Sequence, residues 1–169
     1  MTADRYTVRV SRDHLTFCSA HFISYAGHQC ERLHGHNYRA EVTVEGPLDP
    51  ADHYVFDFVT LKQRAKEITD ELDHHMLLAT TNPVIRVNEA GGQVRVTHQD
   101  REWVFPRADC VLLPIENTTA ELLARHIAGR LLMALMHHHR FVPTLLRVEV
   151  EESVGLSGAF ECRPRGGAS

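Results

Sequence analysis

The 169-residue sequence contains no Cys-x-x-Cys pair, no excess of positive charge and no long apolar run, and each absence removes a class of protein. Its four cysteines, Cys18, Cys30, Cys110 and Cys162, lack the paired spacing of a dithiol motif, and a chain of this length needs no disulfide staple, so free thiols are expected. Cys18 and Cys110 stand in apolar surroundings and read as small buried residues. With 18 Lys and Arg against 22 Asp and Glu, the formal charge of -4 leaves no basic footprint for nucleic acid. No stretch approaches membrane-spanning length, and Met1 to Tyr6 lacks the charged and apolar regions of a signal peptide, so the expected location is the cytoplasm. The length fits one domain, 1–169, and a hydrophobic content of 43% is enough for one core.

Histidine is what the chain has in quantity, thirteen in all, and the stretch Cys30-Glu-Arg-Leu-His-Gly-His-Asn-Tyr38 concentrates chemistry. From His36 onward, His36, Tyr38, Ala40, Val42 and Val44 alternate with polar residues, the period of a half-buried strand. If the strand already holds at His34, both imidazoles share one face, with Gly35 leaving room between them. His-x-His on a strand suits two ligands of one zinc ion. Upstream, Leu15, Phe17, Ser19 and His21 share a face of another candidate strand, so His21 could complete a three-ligand set with an open fourth position, the catalytic form of a zinc site. The competing reading is solvated or hydrogen-bonded histidines in a histidine-rich chain. Cys30 differs from the other cysteines in having polar neighbours and two histidines after it.

Along the rest of the chain, Tyr6 to Phe22 reads as strand with a break near Ser11 to His14, and Ile23 to Gln29 as loop. Gly46 to Pro50 is a turn, Tyr54 to Val59 a short strand, and Thr60 the N-cap of an amphipathic helix over Leu61 to Leu72. Asp73 beside His74 could orient a catalytic imidazole, although the residues alone equally describe a polar helix end. Asn82 to Pro114 reads as a β-meander without obvious chemistry, an added arm or part of a subunit interface. Glu116 to His138 is a second long helix, with Thr118 and Glu121 as a capping box and His137 to His139 as a solvated last turn. In the strand Leu145 to Ser153, Leu146, Val148 and Val150 share a face that Glu152 continues, and an inward carboxylate requires a partner. Gly155 to Gly158 and Arg163 to Ser169 read as loop.

These pieces together resemble the 6-pyruvoyl tetrahydropterin synthase superfamily, most closely its bacterial 6-carboxytetrahydropterin synthase branch. The matching motifs are Phe17-Cys-Ser-Ala-His21, Cys30-x-x-x-His34-Gly-His36-Asn-Tyr38, Val55-Phe-Asp-Phe58, Leu72-Asp-His74, Glu116-Asn-Thr-Thr-Ala-Glu121 and Glu152. The resemblance implies an α+β tunnelling fold (T-fold), an antiparallel β-sheet with two helices on one face. It also implies subunits closing a barrel, two stacked trimers forming a homo-hexamer, and active sites between subunits. By matching positions it gives zinc (Zn2+) held by His21, His34 and His36, a proton-transferring thiol at Cys30, and a partnered base at Asp73 and His74. Glu152 becomes the pterin anchor and Thr119 a further pterin contact. The implied reaction converts 7,8-dihydroneopterin triphosphate to 6-carboxy-5,6,7,8-tetrahydropterin with release of acetaldehyde and triphosphate, as in queuosine biosynthesis. Alternatives are a 6-pyruvoyltetrahydropterin synthase and a non-catalytic pterin-binding homologue. The sequence departs from the family pattern in its meander, in acidic Glu151 before Glu152, and in Ser153-Val-Gly-Leu156; strand alternation points Glu151 away from Glu152.

Overall fold

A computed structural model describes residues 4–164. In chain order the elements are β1 (Tyr6–Val10), β2 (Thr16–His21), β3 (Ser24–Tyr25), β4 (Gln29–Cys30), β5 (His34–Gly46), α1 (Phe58–Asp70), β6 (His75–Ala79), β7 (Arg86–Ala90), β8 (Gln93–His98), β9 (Arg101–Pro106), β10 (Cys110–Leu113), α2 (Ala120–His139), β11 (Leu145–Ser153) and β12 (Leu156–Cys162). The main sheet runs β10-β6-β2-β5-β11-β12, and β1 pairs with the far half of β5. β2, β11 and β1 are antiparallel to β5, whereas β6 runs parallel to β2 and β10.

The alternation along β5 decides which face carries the core. Tyr38, Ala40, Val42 and Val44 are fully buried, and they meet Leu146, Val148 and Val150 of β11 on the face covered by the helices. α1 contributes Leu61, Ala65 and Ile68, and α2 contributes Leu123, Ile127, Leu131 and Leu135. This is the α+β T-fold unit, with its two helices on one side of the sheet. Because Leu131 is fully buried, Leu131→Ala is expected to destabilise the fold by about 2–5 kcal/mol without altering the distant histidines. Chemical denaturation checks this, and a loss below about 1 kcal/mol would mean that the α2 seam is poorly packed.

Several local expectations are corrected. Tyr54 to Val59 forms no strand: Asp57 has extended backbone and accepts from the Thr60 N–H at 2.7 Å, so α1 begins at Phe58 with Asp57, rather than Thr60, as N-cap. α2 begins after Thr119, whose side chain makes no cap bond. Thr118 turns inward instead of capping, with its hydroxyl donating to Phe22 O at 3.3 Å. Cys18 is exposed, because the same alternation that buries Phe17 and Ser19 turns it outward; Cys110 is buried as expected. β6 escaped the sequence reading because Met76, Leu77, Leu78 and Ala79 are all buried, and a strand covered on both faces loses its alternation. The segment after Gly155 pairs with β11 as edge strand β12, not loop. The tail reading over 165–169 lies outside the described residues.

The second cover over β6 comes from the meander. β7, β8 and β9 form a separate three-stranded antiparallel sheet. Its Val94 and Val96 pack with Met76, Leu78, Cys110 and Phe22 in a second apolar cluster. β10 returns to the main sheet, so the regular meander ends at Pro106 rather than Pro114.

Candidate active site

The strand register builds the histidine group. β2 and β5 pair His21 with His34, Ser19 with His36 and Phe17 with Tyr38, which sets all three imidazoles on one face at the end of the ladder. Gly35 lies opposite Ala20, and a Cβ there would sit 3.1 Å from Ser19 O; glycine is what lets the strands approach this closely. The ring centroids are 4.8 Å apart for His21 and His34, 5.2 Å for His21 and His36, and 4.9 Å for His34 and His36.

Hydrogen bonds orient two of the rings. His21 Nδ1 lies 3.0 Å from Thr118 O and His34 Nδ1 lies 2.8 Å from Arg32 O, so each Nδ1–H has a carbonyl acceptor and each Nε2 keeps its lone pair. One potential ligand atom from each histidine falls within 4.8 Å of the others. Nε2 of His21 and of His36 is buried without a hydrogen bond, an unfavourable state that a bound cation would relieve. Burial lowers the His21 pKa below its ordinary 6.5, with Glu152 opposing, which favours the neutral ring that metals require. The donor set therefore fits a divalent metal with a nitrogen preference.

Glu152 closes the group from β11. Its Oε1 lies 3.2 Å from His21 Nε2 and 3.6 Å from His36 Nε2, with no hydrogen bond to either ring. It accepts the Tyr38 hydroxyl at 3.3 Å. Tyr38 is fully buried, and burial followed by the Glu152 charge pushes its pKa far up, so it stays a neutral donor. The partner that an inward carboxylate demands is thus the Tyr38 hydroxyl. Glu152 and the three histidines wall an open cavity of about 500 Å³, completed by Glu31, Thr119 at the start of α2, and Gly158 of β12. A Cβ at Gly158 would lie 2.7 Å from Glu121 N, so glycine is required where β12 presses on the helix start. Glu151 does not line the cavity. It is buried, next to a register shift between Glu151 and Ser153, and one of its oxygens accepts the Gly155 N–H at 2.8 Å.

Within one chain the remaining candidates lie elsewhere. Asp73 accepts the Cys18 N–H at 2.7 Å, which together with His74 holds its carboxyl below the usual carboxylate range. Its second oxygen lies 2.9 Å from His74 Nδ1. His74 adopts a left-handed backbone (φ 58) and its amide donates to Cys18 O at 2.6 Å, so the pair is firmly placed. The pair faces a separate cleft with Cys18, Asn37 and Arg39, residues on the opposite side of β2 and β5 from the three histidines. Cys30 is half-buried at the edge of a third cleft with His28, His98 and Arg101. Burial raises its thiol pKa, with the Arg101 guanidinium opposing.

Glu31, which sequence reasoning passed over, is a second acid that faces the histidines beside Glu152: its Oε2 lies 3.8 Å from His34 Nε2. The signal was present as an acidic residue directly after Cys30, but in a two-residue strand and its turn the facing could not be read from alternation.

Fold and pocket define a T-fold protein with a three-histidine site fit for a metal. The family model for 6-pyruvoyl tetrahydropterin synthase matches residues 9–161, and the chain belongs to that family. A Methanocaldococcus jannaschii relative, provisionally named 6-carboxy-5,6,7,8-tetrahydropterin synthase, is 31% identical over 147 residues, 86% of this chain and 89% of its own. A Pyrococcus furiosus protein named dihydroneopterin monophosphate aldolase is 39% identical over 62 residues, 37% of this chain and 51% of its own. Among solved structures, Plasmodium vivax 6-pyruvoyltetrahydropterin synthase, with a catalytic glutamate mutated to alanine, superposes with a TM-score of 0.86 at 28% identity, covering 96% of this chain and 100% of that one. Among the described residues, no helix is long and apolar enough to cross a membrane.

Proposed function

We propose that this chain is a zinc-dependent pterin lyase that converts 7,8-dihydroneopterin triphosphate to 6-carboxy-5,6,7,8-tetrahydropterin, releasing acetaldehyde and triphosphate. The observation that carries the proposal is the convergence of His21, His34 and His36, two of them with unbonded buried Nε2 atoms, on a cavity walled by Glu152. The name of the Methanocaldococcus relative supports this choice of product.

His21, His34 and His36 would hold the zinc, which as a Lewis acid would polarise the side-chain oxygens and acidify the adjacent carbon-bound proton. Glu152 can accept the amino group and ring N–H of a pterin with its two oxygens, exchanging its present contacts for a donor pair on the substrate. Thr119 contacts the ring from the start of α2. A general base on the protein takes the carbon-bound proton and returns one at a second carbon. Cys30 is the thiol assigned to that transfer. Asp73 and His74 face away from the pocket of their own chain, so in this reading they serve a site completed by a second copy, in a hexamer of two stacked trimers. The chain acts in the cytoplasm as one domain, with the three-stranded sheet as an insertion.

A second reading is favoured by one observation: Glu31, not Cys30, lines the histidine cavity. A glutamate general base there suits retro-aldol cleavage of a dihydroneopterin phosphate between the first two side-chain carbons. The bond's electron pair passes into the pterin and is protonated to leave a hydroxymethyl group, while the other fragment departs as an aldehyde. The Pyrococcus aldolase and the catalytic glutamate of the Plasmodium enzyme support this reading.

Both readings need Glu152. Glu152→Gln is expected to weaken pterin binding about 10- to 100-fold, since a charged acceptor bond contributes about 1.5–3 kcal/mol. Titration with a non-reactive pterin measures this, and unchanged affinity would place the ring elsewhere.

A further inference from the structure

The tip of the β8–β9 hairpin reaches the segment that carries Cys30 and Glu31. Arg101 donates from Nη1 to Cys30 O at 2.8 Å and from Nη2 to Glu31 O at 3.0 Å. Next to it, His98 Nε2 lies 2.9 Å from His28 O, and Gln99 Nε2 donates to the same carbonyl at 3.3 Å. The guanidinium is fixed from behind, lying 4.5 Å from the centroid of the Trp103 ring. Trp103 in turn stacks on Phe22, the residue after His21, with centroids 4.7 Å apart. On its other side the segment is tied to β3's flank by the Glu31 N–H, which donates to Ile23 O at 3.0 Å.

A planar fork that holds two successive carbonyls fixes the orientation of both peptide planes, and with them the directions of the two side chains. Those directions differ here. Glu31 faces the histidine cavity, and Cys30 faces the cleft beside Arg101 itself. A rotation of this segment would exchange the two groups.

We propose that Arg101 is a positioning residue that locks the Cys30–Glu31 segment in the register presenting the carboxylate, rather than the thiol, to the histidine pocket. Through it the three-stranded sheet sets which acid–base group serves the reaction. For its catalytic consequence the inference rests on the second, glutamate-dependent reading, but the lock itself is independent of substrate.

The test uses the full-length, zinc-loaded protein with Arg101→Ala and Arg101→Lys. Amide hydrogen exchange over residues 28–33 reads the lock without substrate. Both variants should exchange there about 10-fold faster or more while keeping zinc content and melting temperature, because Lys restores the charge but not the fork. With dihydroneopterin triphosphate, kcat should fall by on the order of 10- to 100-fold with KM little changed, and the ratio of hydroxymethyl to carboxy product should shift toward the thiol-dependent product. Unchanged exchange would overturn the lock, as would full rescue by Arg101→Lys, which would make the role one of charge alone. Faster exchange with unaltered kcat and product ratio would leave Arg101 a loop staple and overturn the positioning role. A wild type that turns over no pterin, or that forms only the 6-carboxy product, would refute the glutamate-dependent reading, and with it the catalytic consequence, while exchange still decides the lock.

Discussion

His34→Ala should leave a folded protein that no longer retains stoichiometric zinc and has lost essentially all pterin turnover. The fold survives because the His34 side chain is 39% exposed and its one described hydrogen bond is local, to Arg32 O. The metal does not, because two imidazoles remain where three are needed. Altering an outer partner of a metal ligand typically costs about 10–100-fold in affinity, and deleting a ligand must cost more. Metal analysis after dialysis against a mild chelator, alongside thermal melting, makes the measurement. Full zinc occupancy in the variant would mean that the ligand set is wrong.

Cys30→Ala and Glu31→Gln form the second pair. General acid–base groups contribute about 10²–10⁴-fold to rate, so removing the operative one should lower kcat on that scale while zinc binding persists. The 6-carboxy reading requires the collapse in Cys30→Ala. The aldolase reading requires it in Glu31→Gln, with Cys30→Ala near normal, as expected from the carboxylate facing His34 and the thiol facing His98. A thiol whose pKa is raised by burial is a poor base until the segment moves or a cation binds nearby. Product analysis of both variants therefore separates the chemistries, and normal turnover by both would exclude either group from the mechanism.

Much of this arrangement was legible in the sequence because it follows period-2 strands. The alternation from His36 to Val44 and from Leu15 to His21 placed the histidines on a common face, and the register of β2 with β5 brings them together there. Glu152 was visible as a carboxylate extending an apolar stripe. What stayed hidden lacked that periodicity. β6 is covered on both sides, and β12 is an edge strand that contains Gly158. Glu151, on the polar face of β11, is buried nonetheless, beside a register shift that alternation does not show. The clamp of Arg101 on residues 30 and 31 depends on a contact across seventy residues, which no local pattern encodes. Likewise, nothing in Asp73-His74 itself shows that the pair faces the side of the sheet away from the histidines; that follows only from the bond to outward-facing Cys18.

The central claim is tested most directly by incubating the zinc-loaded protein with 7,8-dihydroneopterin triphosphate and identifying the products by mass. The account predicts 6-carboxy-5,6,7,8-tetrahydropterin together with acetaldehyde and triphosphate, while a 6-hydroxymethyl pterin would transfer the reaction to Glu31. Intact substrate, or accumulation of 6-pyruvoyltetrahydropterin alone, would contradict the account.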